Sequence, residues 1–305
     1  MIVITGAGPI GTTIARTYVE QGVAVRVVTR SGSGLDHPLV ERIAADVNDR
    51  AALVAAAQGA TVIHHCVHAS AYLADAWARE LPAAEAAVLG VAEEVGATVV
   101  FPESLYAFDP APPITERSAI VATEGKRGIR TQLLAARRAS STPTISVVAS
   151  DYFGPGAGIG AHAGERMLGP ITQGKTVRPI GDADQPHSWT YLPDLAAAMI
   201  AASELPTEDD RVLMAPTGSP RTQREVANDY ATAVGRPAPK VSTVRPGLLR
   251  LVGRFHRETA GVAEMVEQFD RPFTMDSSAS EALLGLSPTP WDVAVKATVA
   301  DFLDA

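Results

Sequence analysis

Cysteine is nearly absent from this chain. Cys66 is the only one in 305 residues, which excludes a disulfide framework and a thiolate zinc cluster. Runs of basic residues are missing as well. The net charge is −8 with both signs spread along the sequence, so neither nucleic acid nor an anionic membrane surface is expected as a partner. No apolar run is long enough to cross a bilayer, and the first residues enter a strand pattern without a charged and then apolar leader. The expectation is a cytoplasmic protein with a small-molecule substrate. A G-x-S-x-G elbow, internal repeats and low-complexity tracts are also missing. No metal site is expected. His64, His65 and His68 are close in sequence, but strand alternation turns the first two to opposite faces, and no carboxylate follows at ligand spacing.

What is present begins at the second residue. An apolar strand, Ile2–Thr5, runs into Gly6-Ala-Gly8-Pro9-Ile10-Gly11 and then into a helical pattern. This is G-x-G-x-x-G where a dinucleotide needs it, between a first strand and a first helix. Gly6 permits the tight turn, Gly8 lets the backbone approach a pyrophosphate, and Gly11 lets helix and strand pack closely. The pyrophosphate then rests on the exposed N–H groups of the helix start, beside Pro9 and Ile10.

The first half alternates β-rich runs with helical patterns, as a parallel sheet covered on both faces requires. The expected strands are Ile2–Thr5, Ala24–Thr29, Thr61–His65, Ala97–Phe101 and Thr144–Ala149, with a short one near Arg42–Ala45. Helices are expected over Thr12–Gln21, Asp49–Gln58 and Ala71–Val95, each ending at a glycine. Pro82 starts or kinks the last of them. After Ser150 glycine and proline become dense and the alternation stops. There the pattern predicts a further strand at Arg211–Met214, a helix over Gln223–Val234, and one long helix over Gly247–Gln268 weakened by Gly253 and Gly261. The expected fold class is α/β, a doubly wound parallel sheet with a smaller, mostly helical C-terminal lobe. The expected division is a dinucleotide-binding domain over 1–150, with returning segments near 187–215, and a substrate lobe over 151–305.

Cofactor choice is read at the end of the second strand. An NAD site keeps a carboxylate there, about 20 residues past the glycines, for the ribose 2′-hydroxyl. This chain has Thr29-Arg30-Ser31-Gly32 instead. Arg30 can pair with a 2′-phosphate and Ser31 can donate to it, so NADP(H) is expected over NAD(H), with NAD(H) as the alternative. Asp46 and Val47 follow the third strand, where they meet the adenine ring. Cys66 and Val67 follow the fourth and line the pocket near the ribose and nicotinamide, Cys66 as a small buried hydrophobe.

At this point the chain resembles the short-chain dehydrogenase/reductase superfamily, with its closest likeness to the extended or atypical NAD-dependent epimerase/dehydratase group. The likeness rests on Thr5–Gly11, Val62-Ile-His-His-Cys66, Val99-Val-Phe-Pro-Glu-Ser-Leu-Tyr106, Pro113-Ile-Thr-Glu116, Asp151-Tyr-Phe-Gly-Pro-Gly156 and His187-Ser-Trp-Thr-Tyr-Leu-Pro-Asp194, in order along nearly the whole chain. The resemblance implies a Rossmann fold, a nicotinamide cofactor and a homodimer through paired helices. The Ala-rich 83–95 stretch suits such pairing, and equally suits packing inside a monomer.

The departures from the family pattern carry as much information. The family's catalytic signature is Y-x-x-x-K, in which the lysine lowers the tyrosine pKa and holds the nicotinamide ribose. The matching lysine is Lys126, and four residues earlier stands Ala122, not tyrosine. The candidates for a displaced acid lie after strand ends, where open α/β sheets bind ligands. Tyr106 and Ser104 follow the fifth strand, near the family's catalytic Ser/Thr, although Tyr106 matches a tyrosine that is usually structural. Tyr152 follows the sixth strand and can reach the nicotinamide. Glu103 is a further acid. The family's sugar-nucleotide epimerases also carry an arginine that clamps the diphosphate, and here the matching stretch is Asp184-Gln-Pro-His187-Ser-Trp189, with Arg178 nearby. Met167, Trp189, Phe255, Phe269 and Phe273 give the second lobe an apolar character that suits a smaller substrate or forms its core.

The leading expectation is therefore an NADP(H)-dependent oxidoreductase acting on a small carbonyl or alcohol. Lys126 orients the ribose, and Tyr106, helped by Ser104, supplies the proton. The rivals are a non-catalytic NADP(H)-binding sensor and a sugar-nucleotide epimerase or dehydratase.

Overall fold

Val3, Ile4 and Thr5 have no exposed surface because their strand lies inside a sheet with partners on both sides. The computed structural model describes residues 1–206 and 209–304. In chain order the first elements are β1 (Ile2–Thr5), α1 (Pro9–Glu20), β2 (Val25–Thr29), β3 (Val40–Ala44), α2 (Arg50–Ala56), β4 (Val62–His65), α3 (Ala74–Val95) and β5 (Thr98–Ser104). A 3-10 turn at Leu105–Ala107 precedes α4 (Gly125–Arg138) and β6 (Thr144–Ala149). Then come β7 (Asp151–Phe153), α5 (Glu165–Thr172), β8 (Trp189–Tyr191), α6 (Leu192–Ser203), β9 (Asp210–Met214), α7 (Gln223–Ala233), α8 (Pro246–Gly253), α9 (Arg257–Glu264), α10 (Ser278–Leu284) and α11 (Trp291–Asp304).

The chain forms two units. The first comprises Met1–Ala107, Val121–Val148 and Leu195–Ala215. It holds a seven-stranded parallel sheet in the order β3-β2-β1-β4-β5-β6-β9, a Rossmann-like doubly wound arrangement. The order runs outward in one direction from β1 and in the other from β4, so the reversal lies between these two strands. Ligands of open α/β sheets bind at that reversal, outside the carboxyl ends of the strands. One face of the sheet packs Val3, Val28, Ile63, Val99 and Phe101 against Leu53 of α2 and Ala84, Val88 and Val91 of α3. The apolar residues of the Ala-rich 83–95 stretch thus contribute to the unit's own core.

His64 and His65 show the alternation of β4. His64 Nε2 pairs with the Tyr18 hydroxyl of α1 at 2.9 Å, whereas the His65 ring lies edge-on to Phe101, 5.6 Å between centroids. Pro82 neither starts nor ends a helix but sits inside α3, which runs unbroken to Gly96 in the left-handed conformation.

The second unit comprises Phe108–Ile120, Ala149–Asp194 and Pro216–Ala305. It holds the two-stranded parallel β7–β8 sheet and a helical core of Phe153, Met167, Leu168, Trp189, Val226, Tyr230 and Val295. The long helix expected over 247–268 is not continuous. It divides into α8, α9 and a 3-10 turn at Val266–Phe269. Gly253 marks the break: a Cβ there would lie 2.9 Å from the Ala260 Cα, so α8 ends where the backbone of α9 folds onto it. Met167, Trp189, Phe269 and Phe273 are buried, but Phe255 is 87% exposed and belongs to no interior.

Candidate active site

The glycine loop closes the reversal between β1 and β4. Gly6 has φ +93°, which an L side chain rarely adopts, and a Cβ on it would stand 2.8 Å from the Cys66 carbonyl oxygen. A Cβ on Gly11 would meet the Gly6 carbonyl oxygen, so the helix start and the turn are in backbone contact. Gly8 is different: a Cβ there would enter open space. Gly8 is also the N-cap of α1, with no side chain capping the helix and Pro9 in its first turn. The first-turn N–H groups have no intrahelical acceptor, and no atom lies within 4 Å of the position a Gly8 Cβ would take. These residues fit the pyrophosphate of a dinucleotide.

Beyond β2, Arg30 and Ser31 are exposed, and the Ser31 hydroxyl donates to the Ser33 hydroxyl at 3.0 Å. Asp46 accepts from the Asn48 backbone N–H at 2.9 Å. That bond, with the Asn48 side chain and the nearby Arg30 charge, holds its carboxyl below the usual range. Asp46 therefore closes its own turn, and it brings a negative charge within Coulombic range of Arg30. Val47 is buried in the sheet core.

At the tip of β4 burial decides the chemistry. His64 and His65 are pushed down to about 3 by burial, His65 also by Arg137, so both are neutral imidazoles. Burial pushes the Cys66 thiol up to about 12, which leaves it protonated and unreactive. Val67 packs at the edge of the sheet core. His68 keeps an exposed edge, yet burial of its ring, with the Arg130 and Lys126 charges, pushes it down to about 4.

The structure links Lys126 to Tyr106 through Tyr72. Lys126 lies in the first turn of α4 with no exposed surface. Gly128 allows this start, because a Cβ on it would collide with the Thr123 carbonyl. Ala122 is tied to the same turn through its carbonyl, which accepts from the Thr131 hydroxyl at 2.7 Å. The Lys126 Nζ stands 3.4 Å from the centroid of the Tyr72 ring and 5.7 Å from that of Trp77. The Tyr72 and Tyr106 hydroxyls are 2.9 Å apart. Trp77, buried, stacks against Tyr106 at 6.3 Å and meets Tyr72 and His68 edge-on at 5.5 and 4.9 Å. Arg127 Nε donates to the Tyr106 carbonyl at 3.0 Å, which fastens the turn after β5 to α4.

Sequence reasoning missed Tyr72. No spacing rule links it to Lys126, and its only signal was the aromatic run His68, Tyr72, Trp77 after a strand end.

Ser104 and Glu103 sit one step away on β5. The Glu103 carboxylate is buried between Arg137, Nη1 to Oε2 2.9 Å, and Arg130, Nε to Oε1 3.4 Å. It also accepts from the Ser104 backbone N–H at 2.7 Å and from the Ser104 hydroxyl at 3.3 Å. Glu103 is thus a structural anion that holds the strand tip, not an available acid. Among the described residues no group of three His, Cys, Asp or Glu side chains could hold a metal ion, and no helix is long and apolar enough to cross a membrane.

In the second unit Tyr152 pairs with Thr190 across β7 and β8, and burial, then the Asp151 charge, holds its phenol above the ordinary range. His187 is buried with its Nε2 2.8 Å from the Asp151 carboxylate. Arg178, the other cation considered for a diphosphate, is exposed.

The sequence model of the NAD dependent epimerase/dehydratase family matches residues 2–213. The chain belongs to this family. Membership makes it an NAD(P)-dependent enzyme by class. No curated protein matches the sequence. Among solved structures it is similar in fold to UDP-glucose 4-epimerase of Thermus thermophilus in complex with NAD. The identity is 18%, the TM-score 0.76, and the match covers 100% of this chain and 99% of that one. It is similar too to UDP-glucose 4-epimerase of Thermotoga maritima with UDP-glucose, at 16% identity and TM-score 0.77 over 99% and 98% of the chains. A third is a double mutant of the dTDP-glucose 4,6-dehydratase DesIV from Streptomyces venezuelae with NAD bound, at 16% identity and TM-score 0.76 over 100% and 97%.

Proposed function

We propose that this family member is an NADP(H)-dependent oxidoreductase that interconverts a small carbonyl compound and its alcohol. One observation carries the reading: the wholly buried Lys126 lies over the ring of Tyr72, whose hydroxyl is hydrogen-bonded to that of Tyr106.

In this reading the loop Gly6, Gly8, Pro9, Ile10 and Gly11 holds the pyrophosphate. Arg30 and Ser31 take the 2′-phosphate. Asp46 and Val47 lie by the adenine, and Cys66 and Val67 by the ribose. Lys126 orients the nicotinamide ribose. When bound, the nicotinamide supplies or accepts the hydride. The phenol pair moves the proton, with Ser104 held ready by Glu103. Lys126 stabilises the negative charge left on phenol oxygen as that proton departs, an effect strongest in a water-poor site. A positioned acid of this kind contributes about 10²–10⁴-fold in rate.

A second reading, a sugar-nucleotide epimerase or dehydratase, draws support from the UDP-glucose and NAD named for the structural neighbours. Against it stands the Asp151–His187 pair. The imidazole matched to the family's diphosphate-clamping arginine is already engaged by a carboxylate, whose charge repels a diphosphate. NADPH consumption by the purified protein with a panel of small aldehydes and ketones tests the first reading. Turnover on the panel is expected. Tight NADPH binding without turnover on any of them contradicts it. Protection from thermal unfolding by UDP-glucose, in the same absence of turnover, favours the second reading.

A further inference from the structure

We propose that Tyr72 is the acid/base of this enzyme, in the role left open by Ala122, and that Tyr106 is its positioning partner. The proposal rests on the oxidoreductase reading and assigns its proton.

Topology brings Tyr72 to the right edge. Gly6 touches the Cys66 backbone at the sheet reversal, and the chain reaches Tyr72 a few residues after leaving β4 there. It ends up against Lys126, which comes from the first turn of α4. The two phenols differ in access. Tyr106 is half-buried, stacked on Trp77, and its backbone carbonyl is anchored by Arg127. Tyr72 is 39% exposed and is the more accessible of the two phenols. Its ring is nonetheless held, with Trp77 edge-on at 5.5 Å, the Lys126 ammonium at 3.4 Å from its centroid, and the Tyr106 hydroxyl 2.9 Å from its own. A group that gives and regains a proton needs this combination of access, fixed orientation and a neighbouring cation.

In the reducing direction a hydride brings two electrons to the carbonyl carbon, and the C=O π pair moves onto oxygen. The Tyr72 O–H bond breaks and its proton goes to that oxygen, completing the alcohol. Water, which reaches the exposed Tyr72 directly, returns a proton to it. Oxidation runs the same transfers backwards.

The test compares Tyr72→Phe, Tyr106→Phe and wild type in NADPH consumption on the aldehyde and ketone panel, with NADPH affinity from fluorescence titration. A crystal structure of the wild type with NADP+ accompanies it. Tyr72→Phe is expected to fold normally, to bind NADPH within about threefold of wild type, and to lose about 10²–10⁴-fold in kcat. Tyr106→Phe is expected to lose about tenfold in kcat, as a partner that orients without transferring. A Tyr72→Phe enzyme with kcat within threefold of wild type overturns the proposal. If the wild type reduces nothing on the panel, the oxidoreductase reading fails separately, and the NADP+ structure decides about Tyr72. A hydroxyl directed at the space beside nicotinamide C4 supports the assignment, and one directed away from it overturns it.

Discussion

The Lys126 ammonium and the Tyr72 ring are in face-on contact, 3.4 Å from nitrogen to ring centroid. A lysine with no exposed surface has given up its water, which is expensive unless other groups replace it. The aromatic cluster supplies part of that replacement. It is shared with a second cation, because the Arg130 guanidinium lies 4.8 Å from the Trp77 ring centroid. Within this cluster Tyr72 and His68 are the exposed members.

The glycine loop separates folding from binding. A Cβ on Gly8 meets nothing, so Gly8→Ala should leave the melting temperature unchanged. It should weaken NADPH binding about tenfold or more, ~1.4 kcal/mol, because the methyl enters the space the pyrophosphate needs. Gly6→Ala should in addition destabilise the fold by about 1–3 kcal/mol, from a φ that alanine resists and a collision with the Cys66 carbonyl. Thermal melts and NADPH titrations of the two variants check this. An unchanged NADPH affinity in Gly8→Ala contradicts the loop's assignment.

Stability should fall in mild acid. His64 and His65 are held near 3 in the folded protein, mainly by burial, and His162 of the second unit is shifted in the same direction. Unfolded, each titrates near its ordinary 6.5. Below that pH the unfolded chain takes up protons that the folded one refuses. The contribution of these groups is thus fully present above 6.5 and is lost as the pH falls toward 3, at roughly 1 kcal/mol per pH unit for each fully buried histidine. Urea unfolding between pH 7 and about 5, above the range where ordinary carboxylates titrate, should show the decline. A flat profile there contradicts it.

Arg137 should be the most costly single charge to remove. It is 1% exposed and bonds Glu85 through Nε at 2.8 Å and Glu103 through Nη1 at 2.9 Å. Arg137→Met leaves the buried Glu85 without its cation and Glu103 with Arg130 alone, and should cost about 3–5 kcal/mol in urea unfolding. A loss below about 1 kcal/mol would mean that Glu85 and Glu103 are solvated after all.

Much of the fold could be read residue by residue. Ile2–Thr5 and Thr144–Ala149 form strands at their expected limits, because Gly6 and the apolar, β-branched runs bound them locally. The glycine turn was equally accessible, since it belongs to a fixed spacing, whereas Lys126 was accessible only through the family resemblance. What could not be read depends on distant packing. Gly253 breaks a helical pattern only because Ala260 folds onto it, and β5 continues past Phe101 through Pro102 to Ser104 because Glu103 is held by Arg137 and Arg130. Glu103 looked like a free acid for the same reason, as its cations come from α4. Tyr72 becomes part of the site only when the segment after β4 meets α4, a contact with no local signature.

The measurement that tests the account most directly is a calorimetric titration of cofactor-free protein with NADPH and NADH, beside the same titrations of Arg30→Ala. Arg30 is exposed, so the substitution should leave the fold intact. The account predicts tight NADPH binding and NADH weaker by about 10- to 100-fold, the worth of one charge-assisted bond to the 2′-phosphate, with the difference lost in Arg30→Ala. Equal affinities in the wild type would contradict the NADP(H) assignment, and binding of neither would remove the oxidoreductase reading with it.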